Sequence, residues 1–341
     1  MVKSRYSSAT QTEQWSKRLS EAYNGREGVR RRSVKLPANG RIAINGYGQN
    51  VTIILQPDAV IRNMQDNSTA FEGWSLGLKR WCKVESITLR WNIPSDLEIG
   101  QSHRRHYERF LYRVAQFKSL FPEWFVIGPS DFLSLSTTRG KNKLFLNTSG
   151  KRTKSVSAIA KHNPEHELEM KLLRSPEFLR HYKLSDKSIV DRQFPVGLFS
   201  SSIAKKTTQV FPAGKGAIDL VCLDGSVFWL FELKAARNLS VGTITELIFY
   251  TSIVRDAVGG RIQLASNMDS KIRIGDVEKV TKIVSVMLGH NLHPLLADPA
   301  VIELLNDAAN RHWNEHRCFP QVSFRAGEIE SDEPLKIRAI A

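Results

Sequence analysis

The chain has 341 residues, of which 41% are hydrophobic and 24% charged, values typical of a soluble globular protein large enough for two domains. Its formal net charge of +15 predicts an anionic partner such as nucleic acid, although charge alone would also fit a membrane surface. The sequence contains no run of about 20 apolar residues and begins without the apolar core of a signal peptide, so we expect a cytoplasmic protein with no membrane partner. The three cysteines are scattered, which argues against a disulfide framework and a cysteine zinc site.

The first half of the chain predicts a separate α+β domain over residues 1–150. Residues 1–42 are rich in Lys and Arg, and they are a phosphate-contacting arm or, equally well, a solvated basic segment. Residues 41–55 predict two short strands around a Gly-Tyr-Gly turn, and residues 71–93 predict a mixed α/β core. No Gly-x-x-x-x-Gly-Lys-[Ser/Thr] loop for nucleotide phosphates occurs. We expect this domain to recognise DNA or a protein partner.

Two basic stretches of this half are candidates for nucleic-acid contact. Apolar residues at helical spacing predict a helix from Ser102 to Phe121, and its other face carries arginines and a lysine that could contact backbone phosphates. Residues 134–161 hold seven Lys or Arg and no acid, so we predict a flexible basic linker at the domain boundary that can follow DNA. The candidate nucleic-acid-binding residues are Arg104, Arg105, Arg109, Lys151, Arg152 and Lys154.

Residues 151–325 predict a second domain of alternating helices and strands, with a polar tail over residues 326–341. Asn163 and Pro164 are suited to begin a helix that continues to about Tyr182. A strand is expected over residues 189–199, a helix over 241–258, a buried strand over 282–289 and a closing helix over 298–316.

Between these elements, residues 216–234 predict a β-hairpin that carries charges on an apolar face. Asp224-Gly225 is suited to be the two-residue loop of a type I′ turn. In that register Asp219 and Glu232 are diagonal neighbours whose backbone positions are about 7–8 Å apart. Lys234 shares their face because side chains alternate with period two. Such charges are costly to bury unless they are paired or bind a metal ion, so a salt bridge at the end of the hairpin is the alternative.

The segments Ile218-Asp219 and Glu232-Leu233-Lys234, with an acidic helix upstream, resemble the PD-(D/E)XK nucleases. This superfamily includes restriction endonucleases and Holliday-junction resolvases, and the resemblance covers about residues 160–320. Ile218 stands where the motif has Pro. The resemblance implies an α/β fold in which a restriction-endonuclease-like mixed sheet is flanked by helices.

The resemblance also implies Mg²⁺-dependent hydrolysis of phosphodiester bonds, with Mn²⁺ able to replace Mg²⁺. Asp219, Glu232 and the backbone carbonyl of Leu233 would hold the ion. Lys234 would orient or help deprotonate the attacking water and would offset charge on the phosphorane. Glu165 is the expected upstream catalytic acid.

Which acid of the upstream helix acts together with Asp219, Glu232 and Lys234 stays open. Glu167 and Glu169 compete with Glu165, and helical spacing places Glu165 and Glu169 on one face with Glu167 away from both. Glu246-x-x-x-Tyr250 occupies the place where some members carry Gln-x-x-x-Tyr. The candidate accessory residues are Glu169, Gln193, Glu246 and Tyr250.

We therefore expect a metal-dependent DNA endonuclease that acts in restriction, phage defence or a mobile element, with RNA left open as a substrate. A second copy of the chain, or a protein from the same defence or transposition system, is the expected protein partner. One alternative is a nucleic-acid-binding or assembly subunit that keeps the fold without cutting. Another is a transposon-end or RNA-directed nuclease.

Overall fold

The computed structural model describes residues 8–27, 34–95, 101–128, 143–148, 164–212, 216–235, 240–316, 318–332 and 334–340. The protein is mixed α/β and divides into two compact units, Met1–Gly140 with Ser240–Thr245, and Lys141–Leu239 with Glu246–Ala341. None of the helices in the described ranges combines the length and the apolar character that a membrane crossing requires.

The first unit contains a four-stranded mixed sheet. Strands β1 and β2 are antiparallel, whereas β2, β3 and β4 run parallel. The two short strands predicted within residues 41–55 are confirmed, and the turn between them lies at Gly48 and Gln49. Its elements are α1 (Ser8–Asn24), β1 (Ile42–Tyr47), β2 (Asn50–Leu55), α2 (Pro57–Val60), α3 (Phe71–Arg80), β3 (Ser86–Trp91), α4 (Gln101–Leu120) and β4 (Phe125–Ile127).

Helix α4 confirms the helix predicted from Ser102, but its basic face is not wholly exposed. Arg113 is buried, and its guanidinium donates to the two carboxylate oxygens of Glu72 at 2.8 and 2.7 Å. Arg109 is also buried and donates to the backbone carbonyl of Arg62 at 3.4 Å. The prediction that Arg109 lies on a face open to phosphates is therefore wrong, and Arg113 is buried as well, because protein oxygen atoms accept hydrogen bonds from both guanidinium groups.

The other predicted nucleic-acid contacts fall in two groups. Arg104 is exposed and lies 3.9 Å from Glu108, and Arg105 is half-buried. Lys151, Arg152 and Lys154 lie outside the described residues, as does most of the predicted linker. Within that linker, however, Leu144–Asn147 forms a β-strand of the second unit rather than a flexible segment.

The second unit contains a six-stranded mixed sheet in the order β13-β12-β11-β9-β8-β6 and a three-stranded sheet in the order β10-β5-β7. Within the larger sheet β9, β11 and β12 are parallel, and the other neighbours are antiparallel. The prediction of mixed sheets flanked by helices is confirmed. Its elements are β5 (Leu144–Asn147), α5 (Pro164–Arg174), α6 (Pro176–Tyr182), β6 (Ile189–Pro195), β7 (Gly197–Phe199), β8 (Ala217–Asp224), β9 (Val227–Lys234), α7 (Gly242–Val258, of which the residues up to Thr245 belong to the first unit), β10 (Ile262–Leu264), α8 (Ile274–Val277), β11 (Lys282–Gly289), α9 (Pro299–Ala308) with a π-helical turn (Ala309–Trp313), β12 (Gln321–Asp332) and β13 (Leu335–Ala339).

Three stretches of the second unit differ from their predictions. The helix expected to continue to about Tyr182 breaks after Arg174, because Ser175 caps a new helix by accepting from the amide of Phe178 and Pro176 occupies its first position. The strand expected over residues 189–199 is two strands in different sheets. Residues 326–341, expected as a polar tail, hold the end of β12 and all of β13, which are hydrogen-bonded strands of the larger sheet.

The two faces of the β8–β9 hairpin differ, because only one of them packs against the apolar side chains of α5 and α6. Apolar side chains of α5 and α6, including Phe178, pack against Leu220, Phe231 and Leu233. Because side chains alternate along a strand, Asp219, Glu232 and Lys234 project from the opposite face. That face is the one contacted by α7.

Candidate active site

The two strands of the β8–β9 hairpin pair in a register that is shifted by two residues from the predicted one. Asp224 pairs with Val227, so Gly225 and Ser226 are the loop residues. Gly225 has a φ of +60° and Ser226 has a negative φ, which is the pattern of a type II′ turn with Gly first, not of the predicted type I′ turn. The prediction that Asp224 occupies the loop is wrong.

Two distant hydroxyl groups account for the place of Asp224 in the strand. Its Oδ1 accepts hydrogen bonds from the Oγ atoms of Ser185 at 2.6 Å and Ser188 at 2.8 Å. These hydrogen bonds, that of Ser185 first, hold the pKa of the Asp224 carboxyl below its ordinary value. The side chain is therefore fixed by residues that precede it by more than 30 positions.

A shift of two residues leaves every side chain on its original face, but it changes which residues are opposite. Continued by one residue, the observed register places Asp219 directly across from Glu232, where a diagonal relation was predicted. The backbone N–H of Leu233 donates to Oδ2 of Asp219 at 2.8 Å. The two carboxylates are thus held on adjacent strands, with Lys234 two residues further along the same face.

Lys234 is buried between two carboxylates. Its Nζ lies 2.7 Å from Oε1 of Glu232 and 3.0 Å from Oε2 of Glu246, and all three side chains are at most 4% exposed. Burial alone would lower the pKa of the lysine, but the neighbouring carboxylates, that of Glu232 first, raise it well above its ordinary value. Lys234 is therefore an ammonium group that donates a hydrogen bond to Glu232 and forms an ion pair with Glu246.

The acids of the hairpin are crowded and poorly solvated. Burial raises the pKa of Asp219 to about 7, against the opposing effect of Lys234. Burial, followed by the charge of Asp219, raises the pKa of Glu232 well above its ordinary value. Oε2 of Glu232 is buried and has no hydrogen-bond partner among the described residues. A cation at this position would reduce the repulsion between the carboxylates of Asp219 and Glu232 and would give Oε2 of Glu232 a partner.

Of the three acids proposed on the upstream helix, Glu165 has only a small electrostatic effect on the hairpin, after burial and nearer charges. Its charge raises the pKa values of both Asp219 and Lys234, and its side chain is half-buried. Glu167 is exposed. Glu169 is buried, which raises its pKa, and it is held locally: Arg192 Nη1 lies 3.3 Å from Oε1, and His166 Nδ1 lies 3.5 Å from Oε2.

Gln193 connects Glu169 to the hairpin. Its Nε2 lies within donor distance of Oε2 of Glu169, at 3.1 Å, and of Oδ1 of Asp219, at 3.4 Å. Its φ of +52° is in the left-handed region, which a residue with a side chain seldom adopts. It interrupts the β6–β8 ladder between the Arg192–Leu220 and Phe194–Ile218 pairs. A strained residue that touches two acids is typical of a functional site.

Glu246 and Tyr250 are also brought into this group. Both are buried on α7, and the hydroxyl of Tyr250 donates to Oε1 of Glu246 at 3.5 Å. The sequence indicated Glu246 only as an accessory residue, whereas the structure makes it a direct partner of Lys234. A glutamate and a tyrosine four residues apart, with only apolar residues between them, were the signal available in the sequence.

A scan against protein-family models and searches of curated proteins and of solved structures found no match. A functional conclusion for this chain therefore rests on the geometry of its own residues.

Asp219 and Glu232 are the candidate ligands for a divalent cation. Among the described residues, no group of three or more His, Cys, Asp or Glu side chains is arranged to hold a metal ion. Mg²⁺, however, is commonly bound through one or two carboxylates and several waters. Asp219 and Glu232 supply two such oxygen donors on facing strands, and the unpartnered Oε2 of Glu232 is a hard ligand of the kind Mg²⁺ prefers.

Proposed function

We propose that the chain is a divalent-cation-dependent endonuclease that hydrolyses DNA phosphodiester bonds, with a second unit of the PD-(D/E)XK type. The observation that carries the proposal is the convergence of Asp219, Glu232 and Lys234 on one face of paired strands. The mixed sheet with helices on both faces supports it. A role in restriction, phage defence or a mobile element belongs to the same proposal.

The roles of the residues follow from their contacts. Asp219 and Glu232 would hold the cation, which would polarise the phosphate and lower the pKa of an attacking water. Lys234 would donate hydrogen bonds to charge that develops on the phosphoryl oxygens, since its ammonium state leaves it unsuited to take a proton from water. Glu165 would add negative charge at the edge of the cation site.

The charge of the whole chain supports an anionic polymer as substrate. A formal net charge of +15 attracts a phosphodiester backbone over a distance of about one Debye length, roughly 8 Å at physiological salt. Binding of this kind weakens as salt rises, because counterions are released from the nucleic acid.

A second candidate function is a nucleic-acid-binding or assembly subunit that does not cut. The observation that favours it is the pairing of Lys234 with two buried carboxylates, an arrangement that can also serve only to satisfy buried charges. An intact Asp, Glu and Lys set favours the nuclease, because a subunit without activity has no need of all three.

The experiment is a cleavage assay with Mg²⁺ on linear, nicked, branched and single-stranded DNA and on RNA. We expect the wild-type chain to cut at least one DNA form and the Lys234→Met variant to lose at least about a hundredfold in rate, the usual effect of losing one charge-stabilising donor. Lys187→Met, at an exposed position of the same unit, is the matched control and should cut as wild type does. Equal activity of wild type and Lys234→Met on every substrate would refute the proposed chemistry, and binding without cutting would favour the second candidate.

A further inference from the structure

Glu246 is a buried acid to which the chemistry proposed above assigns no part. It lies on α7 with its side chain 3% exposed, and its Oε2 is 3.0 Å from Nζ of Lys234. A carboxylate is rarely buried to this extent without a specific partner, because the desolvation of the charge is costly. Its charged partner here is the same lysine that pairs with Glu232, and the hydroxyl of Tyr250 donates to its other oxygen.

One positive charge is therefore shared by two carboxylates. Glu232 Oε1 and Glu246 Oε2 both contact Nζ of Lys234, at 2.7 and 3.0 Å. The three side chains carry a net charge of −1 when both acids are ionised. A pair of Lys234 and Glu232 alone would be neutral, and it would attract a second cation much less strongly.

The two carboxylate oxygens of Glu232 differ in their contacts. Oε1 faces the lysine, whereas Oε2 is buried without a hydrogen-bond partner among the residues that the structure describes. Asp219 lies across the strand pair, and the charges of Glu246 and Glu165 add to the burial that raises its pKa. A divalent cation between Asp219 and Glu232 would satisfy this oxygen without displacing Lys234.

We propose that Glu246 is a positioning residue that sets the affinity of the site for a divalent cation. Its carboxylate holds Lys234 in a shared ion pair, and this leaves Glu232 with the charge and the oxygen needed to bind the cation. A neutral glutamine at this position would leave Lys234 to neutralise Glu232 alone. This role rests on the proposed function, and it concerns the charge of residue 246 rather than its size.

The test is calorimetric titration of the full chain with Ca²⁺, and separately with Mg²⁺, for wild type, Glu246→Gln and Glu177→Gln. Glu177 is a partly exposed acid of the same unit paired with Arg180, and it serves as the matched acid-to-amide control. We expect Glu246→Gln to raise the dissociation constants by about tenfold or more, since a full charge is lost next to a buried ion pair. Glu177→Gln should leave them unchanged. Thermal unfolding in EDTA establishes that each variant is folded.

A kinetic measurement separates positioning from a general structural effect. In Glu246→Gln, the Mg²⁺ concentration for half-maximal cleavage should rise about tenfold, with a smaller change in the rate at saturating Mg²⁺. Loss of rate at saturating Mg²⁺ with unchanged cation affinity would overturn the inference. Equal affinity for Ca²⁺ in wild type and Glu246→Gln would also overturn it.

Glu246→Asp keeps the inference testable if the glutamine variant does not fold. This variant retains the charge on a shorter side chain, so Ca²⁺ affinity should stay within about threefold of wild type. A tenfold loss would show that the shape of residue 246 matters rather than its charge. A wild-type chain that neither binds Ca²⁺ nor cuts any substrate would refute the proposed function itself. Cleavage by wild type, with unaltered cation affinity in Glu246→Gln, would refute only the role of Glu246.

Discussion

Replacement of Gln193 by Ala and by Gly tests whether backbone strain is stored beside the acids. The two variants both remove the amide that contacts Glu169 and Asp219, but only glycine adopts a φ near +52° without steric cost. The difference in stability between the two variants therefore measures the backbone strain. The loss of stability that both share relative to wild type measures the hydrogen bonds.

The magnitudes follow from these contacts. A hydrogen bond to a charged acceptor is worth about 1.5–3 kcal/mol, and we count the 3.1 Å contact with Glu169 fully and the 3.4 Å contact with Asp219 as minor. Gln193→Ala should thus cost about 2 kcal/mol. Relative to alanine, glycine avoids about 1–2 kcal/mol of strain at a left-handed φ, and it loses about 0.5–1 kcal/mol because the unfolded chain is more flexible at a glycine. Glycine should therefore be more stable than alanine by about 0.5–1 kcal/mol.

Hydrogen exchange of the β8 and β9 amides, which reports local opening free energies of this sheet, is the suitable assay. Val190, a position of β6 in regular pairing with Cys222, is the control, because there glycine should be less stable than alanine by about 0.5–1 kcal/mol. If Gln193→Gly is no more stable than Gln193→Ala, the conformation of Gln193 is not strained and the reasoning fails.

Three further predictions concern stability. Arg113→Met leaves Glu72 buried without its bidentate partner and should cost the first unit about 3–5 kcal/mol in urea unfolding; a loss below about 1 kcal/mol would contradict the ion pair. Gly225→Ala should cost about 1 kcal/mol from backbone conformation alone, because the added Cβ meets no atom within 4 Å, and an unchanged melting temperature would contradict the type II′ turn. Burial, with the charge of Arg109, lowers the pKa of His106 to about 4 in the folded protein. The pKa in the unfolded chain is near 6.5, so the unfolded chain binds the proton first as pH falls. Stability should fall as pH decreases from about 6.5 to 4, and His106→Gln should lose less over that interval in pH-dependent melting.

The shared face of the hairpin charges could be predicted from the sequence, because alternation with period two is unaffected by a shift of two residues. The exact pairing could not be predicted. Asp224-Gly225 is a strong local turn signal, but the hydroxyls of Ser185 and Ser188 hold Asp224 in the strand. A local pattern does not contain contacts with residues so far away along the chain.

The same limitation applies to charged side chains that the fold buries. Helical spacing placed Arg109 and Arg113 on a polar face, yet Arg113 is paired with Glu72, 41 positions earlier. Glu246 followed the motif spacing, but its contact with Lys234 depends on how α7 packs against β9. Periodicity predicts which side of an element is apolar, and it does not show which charges find partners inside.

Plasmid cleavage by wild type and Asp219→Asn, with and without Mg²⁺, is the decisive test of a cation-dependent nuclease. Asp186→Asn, at an exposed position in the same unit, is the matched control. We predict Mg²⁺-dependent cleavage by wild type and Asp186→Asn, abolished by EDTA, and a loss of at least about a hundredfold in Asp219→Asn because the cation loses a charged ligand. Equal cleavage by wild type and Asp219→Asn, or cleavage that persists in EDTA, would contradict a cation-dependent nuclease centred on these residues.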